Sequence, residues 1–135
     1  MAAIWERSIT ITQNATATFS WGYCYLPETV PPTPNTGSVP YDYAGTVVSF
    51  AIHETSDPTS PLLCQLSSAT GGIVFAGTEV VDGFNSGVLA WSIPPTVTVT
   101  FTPGTYWFDL LWTFTTGEQF YLAEGPCIVQ GTAGR

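Results

Sequence analysis

His53 is the one histidine of the chain, so a nucleophile–base pair would have to join it to Ser49, Ser56 or a cysteine, and a metal site built from several histidines is excluded. It stands where an alternating run, residues 46–52, breaks into His53-Glu54-Thr55-Ser56-Asp57-Pro58. In such a polar turn a histidine is expected to be a solvated side chain. Glycoside hydrolysis would need two carboxyl groups facing each other across a cleft. Asp109, Glu118 and Glu124 lie in the last two strand-like runs, where Asp109 can face either glutamate, although charges on a hairpin ordinarily mark a solvated face. Glu54/Asp57 and Glu79/Asp82/Asn85 are oxygen clusters in loops, and neither has EF-hand spacing. Cys24, Cys64 and Cys127 form no CxxC or CxxH pair, so they are expected to be reduced, mostly buried thiols of a protein made in a reducing cytoplasm. No P-loop, GxGxxG or GxSxG is present. The expected catalytic, cofactor-binding and metal-binding residues are therefore none.

The elements that would position these groups read as strands. No stretch of helical length has an i, i+3, i+4, i+7 apolar pattern, and Thr, Val, Gly and Pro all disfavour helix interiors. Ser8–Thr12 and Ala15–Trp21 alternate with a period of two, with a bend expected at Gln13-Asn14. Further strands are expected at 46–52, 62–66, 73–75 and 88–93, with Asp82-Gly83 and Ser86-Gly87 in a loop between the last two. Residues 97–102 fit either a strand or an irregular connection capping the core. The runs 105–114 and 118–130, separated by Thr115-Thr116-Gly117, read as a hairpin. In it Tyr106, Phe108, Leu110, Trp112 and Phe114 share the face expected to enter the core. Trp107, Asp109 and Leu111 share the other. Residues 26–40 hold five prolines and read as a loop insertion. The expected fold is all-β: a single immunoglobulin-like antiparallel β-sandwich of about seven to nine strands, filling residues 1–135, with an N-terminal arm (1–7) and the Pro-rich loop (26–40).

Composition narrows the function. Of 135 residues ten are acids and two, Arg7 and Arg135, are basic, giving a net charge of −8 and a charged fraction of 9% against about 25% in ordinary domains. With no basic cluster, neither a nucleic-acid partner nor a membrane surface is expected. The chain is 44% hydrophobic and 14% aromatic, which argues against disorder. MAAIWER lacks a positive segment followed by an apolar core, so no targeting segment is expected, and no apolar run approaches the roughly 20 residues of a membrane span.

Several pieces occur in a familiar order: Ile9-Thr10-Ile11 with Gln13-Asn14-Ala15-Thr16, Gly45 leading to Phe50-Ala51-Ile52, and Leu62-Leu63-Cys64-Gln65-Leu66. Gly71-Gly72-Ile73, Gly87-Val88-Leu89, Pro103-Gly104-Thr105-Tyr106-Trp107-Phe108-Asp109-Leu110 and Leu122-Ala123-Glu124-Gly125 with Ile128-Val129 follow. Over most of residues 8–130 this succession resembles the immunoglobulin-like N-terminal domain of tailed-bacteriophage baseplate upper proteins and their stand-alone relatives. The chain departs from the family pattern in having Asn14-Ala15-Thr16 at a "GDT"-like turn and a longer 26–40 loop. The resemblance implies an assembly role and supplies no catalytic residues.

The expected function is a non-enzymatic structural component of a tailed-phage virion, either a capsid decoration (cement) protein or another accessory head or tail protein. Its expected partners are identical copies, with a trimer as the favoured ring, and a major capsid or tail/baseplate protein. Ile4, Trp5, Pro31, Pro32, Pro34, Trp107 and Leu111 are the candidate interface. The alternative is a carbohydrate- or receptor-binding module using Trp91, Trp107 or Trp112 as stacking platforms. A glycan hydrolase using Asp109 and Glu124 is a third reading.

Overall fold

The computed structural model describes residues 5–25, 39–57, 59–81 and 83–131. Ile4, Pro31, Pro32 and Pro34 lie outside the described residues, and Trp5 is described by its backbone alone. The described strands are β1 (Trp5–Glu6), β2 (Ile9–Thr12), β3 (Ala17–Tyr25), β4 (Val39–Pro40), β5 (Val47–His53), β6 (Leu62–Ser67), β7 (Ile73–Val81), β8 (Phe84–Ile93), β9 (Gly104–Thr113) and β10 (Gln119–Gln130). They form two sheets, β1-β10-β9-β5-β6 with β2 also pairing β10, and β4-β3-β8-β7. The protein is all-β and sandwich-like, as the alternation implies. Pairing is antiparallel except where β1 and β2 run parallel to β10.

The bend expected at Gln13-Asn14 carries the chain from one sheet to the other: Asn14 takes φ 59°, a conformation its short polar side chain tolerates. The last hairpin closes as expected, with Gly117 at φ 90° and its N–H donating to the Phe114 carbonyl at 2.9 Å. Residues 84–87, expected in a loop, belong instead to β8, and β7 runs on to Val81. Gly83, at φ 83°, lies in the tight turn between them; an Asp-Gly pair is a hairpin signal as well as a loop signal. Residues 95–98 form a single helical turn, α1, so the capping connection is the form that 97–102 adopts rather than a strand. Thr98 is buried at this end and donates to the Ala15 carbonyl at 2.8 Å.

Aromatic side chains fill the space between the sheets. Phe19 and Trp91 stack at 5.3 Å within one sheet, and Phe50 reaches across to them at 5.6 and 5.2 Å. Trp21 meets Phe108 edge-on at 5.8 Å. Trp112 lies against Tyr41 at 5.0 Å, and its indole N–H donates to Thr46 Oγ1 at 2.8 Å. Phe108, Leu110 and Trp112 are buried, with Tyr106 and Phe114 packed at the margin, so the expected inward face of β9 is the observed one.

Two glycines admit a crossing backbone. At Gly87 an added Cβ would lie 2.3 Å from the Tyr41 carbonyl oxygen, and at Gly125 it would lie 1.5 Å from the Arg7 carbonyl oxygen. Gly125 thus sets how β1 and the residues after it lie on β10. The Arg7 N–H donates to the Glu124 carbonyl at 2.9 Å, and the Arg7 guanidinium sits 4.9 Å from the Trp21 ring centre.

Candidate functional site

The outer face of the larger sheet carries the titratable groups that the fold brings together. Across β5, β9 and β10 one row runs Ser49, Leu111, Tyr121, and the next runs Ala51, Asp109, Glu124, with Gln65 of β6 beside Ala51. Strand alternation dictates this face: Phe50, Ile52, Phe108 and Leu110 point into the core, so their neighbours point out. Ser49 and Ala51 on the central strand are short, whereas Leu62, Gln65, Asp109, Leu111 and Tyr121 rise on either side. The result is a trough of about 490 Å³ over β5, closed at one end by His53, Thr59 and Ser60.

His53 is not the solvated side chain expected of a polar turn. It is the last residue of β5, only 7% exposed, and its Nε2 lies 3.0 Å from Asp109 Oδ2. A carboxylate accepts, so Nε2 carries the proton of this bond. On the other side of the ring Nδ1 faces the Ser60 carbonyl at 3.5 Å. The turn that follows folds back through Asp57, whose carboxylate accepts from the Thr59 backbone N–H and hydroxyl at 2.9 and 2.8 Å. Those two bonds hold the Asp57 carboxyl below its ordinary range. In Asp109 burial outweighs the attraction of His53, and with the nearby Glu124 charge it raises the carboxyl above its usual value. The Tyr121 phenol is raised by burial and by the charges of Asp109 and Glu124. The hairpin pattern leaves Asp109 able to face Glu118 or Glu124, and a register shift between Tyr121 and Ala123 brings Glu124 opposite it. The His53–Asp109 bond has no local signal, because it depends on β5 pairing with β9 across 56 positions.

The expected tryptophan platforms are placed differently. Trp91 and Trp112 are buried core residues, so neither offers a ring face to a ligand. Trp107 is half-buried and lines a smaller hollow with Glu6, Arg7, Ser8 and Pro126, and half-buried Leu111 lines the trough. A second hollow, beside Trp91 and lined by Thr18, Ser20, Leu66 and Val74, has no titratable side chain in its lining. Cys64 and Cys127 are free thiols, and burial pushes Cys127 up to about 12, which leaves it unreactive as a nucleophile at neutral pH. No group of three or more His, Cys, Asp or Glu able to hold a metal occurs among the described residues.

The large exposed apolar side chains lie mostly on two edge strands. β6 and β7 each form one edge of their sheet and are joined by a short 3-10 turn at residues 68–70. Along them Leu62, Val74, Phe75 and Val80 are 50, 53, 44 and 71% exposed, and Glu79 is the one charged residue of both strands. Natural edge strands are ordinarily protected by lysines, prolines or inward charges. These have Glu79 and a register break between Phe75 and Thr78. The local pattern hides this flank: strand-like alternation is confined to 73–75, and Val80 falls in a stretch with loop residues on its C-terminal side. No protein-family model matches the chain, and no curated protein matches it by sequence.

Proposed function

We propose that the protein is a non-enzymatic structural component of a tailed-phage virion, a capsid decoration protein or another accessory head or tail protein that works through protein–protein contacts. The observation that carries this reading is the two consecutive, nearly charge-free edge strands β6 and β7, with Leu62, Val74, Phe75 and Val80 exposed along them. At pH 7 the formal charge of −8 makes copies of the chain repel, so they approach most readily along a flank from which charge is missing. An edge strand can also add a strand from a neighbour, which gives main-chain hydrogen bonds without any special side-chain chemistry. The resemblance of the ordered sequence pieces to phage baseplate domains supports reading this behaviour as assembly within a virion. Trp107 and Leu111 lie on β9, an interior strand of the larger sheet, and are half-buried, so the edge contact is carried by β6 and β7.

Sedimentation of the purified chain tests the contact. The wild type is expected to form a homo-oligomer, and the double variant Val74→Lys, Val80→Lys is expected to sediment as a monomer. Both side chains are exposed, so the thermal midpoint should stay close to that of the wild type. A wild type that stays monomeric at high concentration, or a variant that assembles as well as the wild type does, would contradict the proposed edge contact.

A further inference from the structure

We infer that the trough over β5 is a binding site for a neutral carbohydrate, with Asp109, Gln65, Ser49 and Tyr121 as its recognition groups. The inference rests on the trough alone and does not depend on the virion reading. At about 490 Å³ the trough lies within the size range of small-molecule sites. Its chemistry selects the class of ligand. No lysine or arginine lines it and His53, the one other nitrogen base there, is turned onto Asp109 and the Ser60 carbonyl, while Glu124 stands beside Asp109, so a phosphate, sulfate or carboxylate would meet repulsion.

A sugar hydroxyl, in contrast, both donates and accepts. His53 takes one oxygen of Asp109, which fixes the carboxylate and leaves Oδ1 to accept from a ligand. Among the described residues the Gln65 amide, the Ser49 hydroxyl and the Tyr121 hydroxyl make no hydrogen bond to protein, so they are free to pair with such hydroxyls. Leu62, Leu111 and the Tyr121 ring supply the apolar surface on which the C–H face of a sugar packs. The two kinds of group lie in adjacent rows of one sheet face, a rigid arrangement that needs little ordering on binding. This places carbohydrate recognition at Tyr121 and Asp109 rather than at Trp91 or Trp112.

The test uses the full chain on a printed panel of neutral, acidic and basic oligosaccharides, followed by calorimetric titration of the best neutral binder. Wild type is expected to bind at least one neutral glycan and no acidic one. Gln65→Ala and Tyr121→Ala should each weaken that binding roughly tenfold, the equivalent of one lost hydrogen bond or stacking contact. Gln65 is exposed, so its variant should keep the wild-type thermal midpoint and report on binding alone. A blank panel, binding confined to charged glycans, or an affinity unchanged in both variants would overturn the proposal.

Discussion

Gly125→Ala should lower the stability of the protein by about 2–3 kcal/mol and open the chain to trypsin after Arg7. The new Cβ would sit 1.5 Å from the Arg7 carbonyl oxygen and 2.7 Å from its carbon. Both obstacles are backbone, so no rotamer change relieves them. Either β10 must shift, disturbing its pairing with β9, or the strap formed by Trp5–Arg7 must leave β10. Leaving breaks the Arg7 N–H bond to the Glu124 carbonyl and separates the guanidinium from Trp21. Arg7 is the sole internal basic residue of the sequence, since the other arginine is Arg135. Proteolysis at that one bond therefore reads the strap directly. In the wild type cleavage after Arg7 should be slow, and in the Ala variant fast at temperatures well below the midpoint of unfolding. A variant with the wild-type midpoint and wild-type resistance would show that the strap does not pack as described.

The second large effect is expected at the other end of the outer face. His53→Ala removes the partner of a buried carboxylate and should cost about 1–3 kcal/mol at neutral pH, the usual penalty for an unsatisfied buried group. Its pH dependence separates this from a simple loss of packing. Burial already raises the Asp109 carboxyl, and His53 is the influence that opposes the rise. A group whose pKa is higher in the folded state than in the unfolded chain stabilises the fold fully below the unfolded value. That contribution is lost as pH rises through the folded value. Without His53 the carboxyl rises further, so the deficit of His53→Ala should be greatest at neutral pH and shrink as the solution is acidified toward the ordinary value of 3.8. Asp109→Asn removes the ionisation and should be at least as stable as the wild type at neutral pH, with the difference vanishing in acid. Chemical denaturation of the three proteins across this range checks both signs. A deficit in His53→Ala that is independent of pH would mean that only packing was lost.

What could be read from the sequence follows from the range of the interactions involved. Period-two alternation is local, so 8–12, 46–52 and the 105–130 hairpin identified themselves, as did the inward face of Phe108, Leu110 and Trp112. Turn residues carry two meanings, and Asp82-Gly83 with Ser86-Gly87 read as a loop because glycine marks both loops and tight approaches. Gly87 lies in β8 through its pairing with Tyr23 and Thr78, and the position takes a glycine because the Tyr41 backbone, 46 positions away, passes over it. The candidate site was legible only in part. The hairpin brought Asp109 near the two glutamates without choosing between Glu118 and Glu124, a choice made by the register shift after Tyr121, and the trough needs β6, β5, β9 and β10 side by side, an order that no local pattern contains. Composition pointed to apolar surface in search of cover, and the fold concentrates the most exposed part of it on β7, whose length the sequence pattern had hidden.

The central claim is that this charge-poor sandwich is a building part of a virus particle. Quantitative mass spectrometry of virus particles purified from cultures that express the chain tests it most directly. The account predicts the protein in fixed stoichiometry with the major capsid or a tail/baseplate protein, retained through gradient purification and lost in particles carrying the Val74→Lys, Val80→Lys variant. Particles that lack the wild-type protein, while it accumulates in the infected cell, would contradict it.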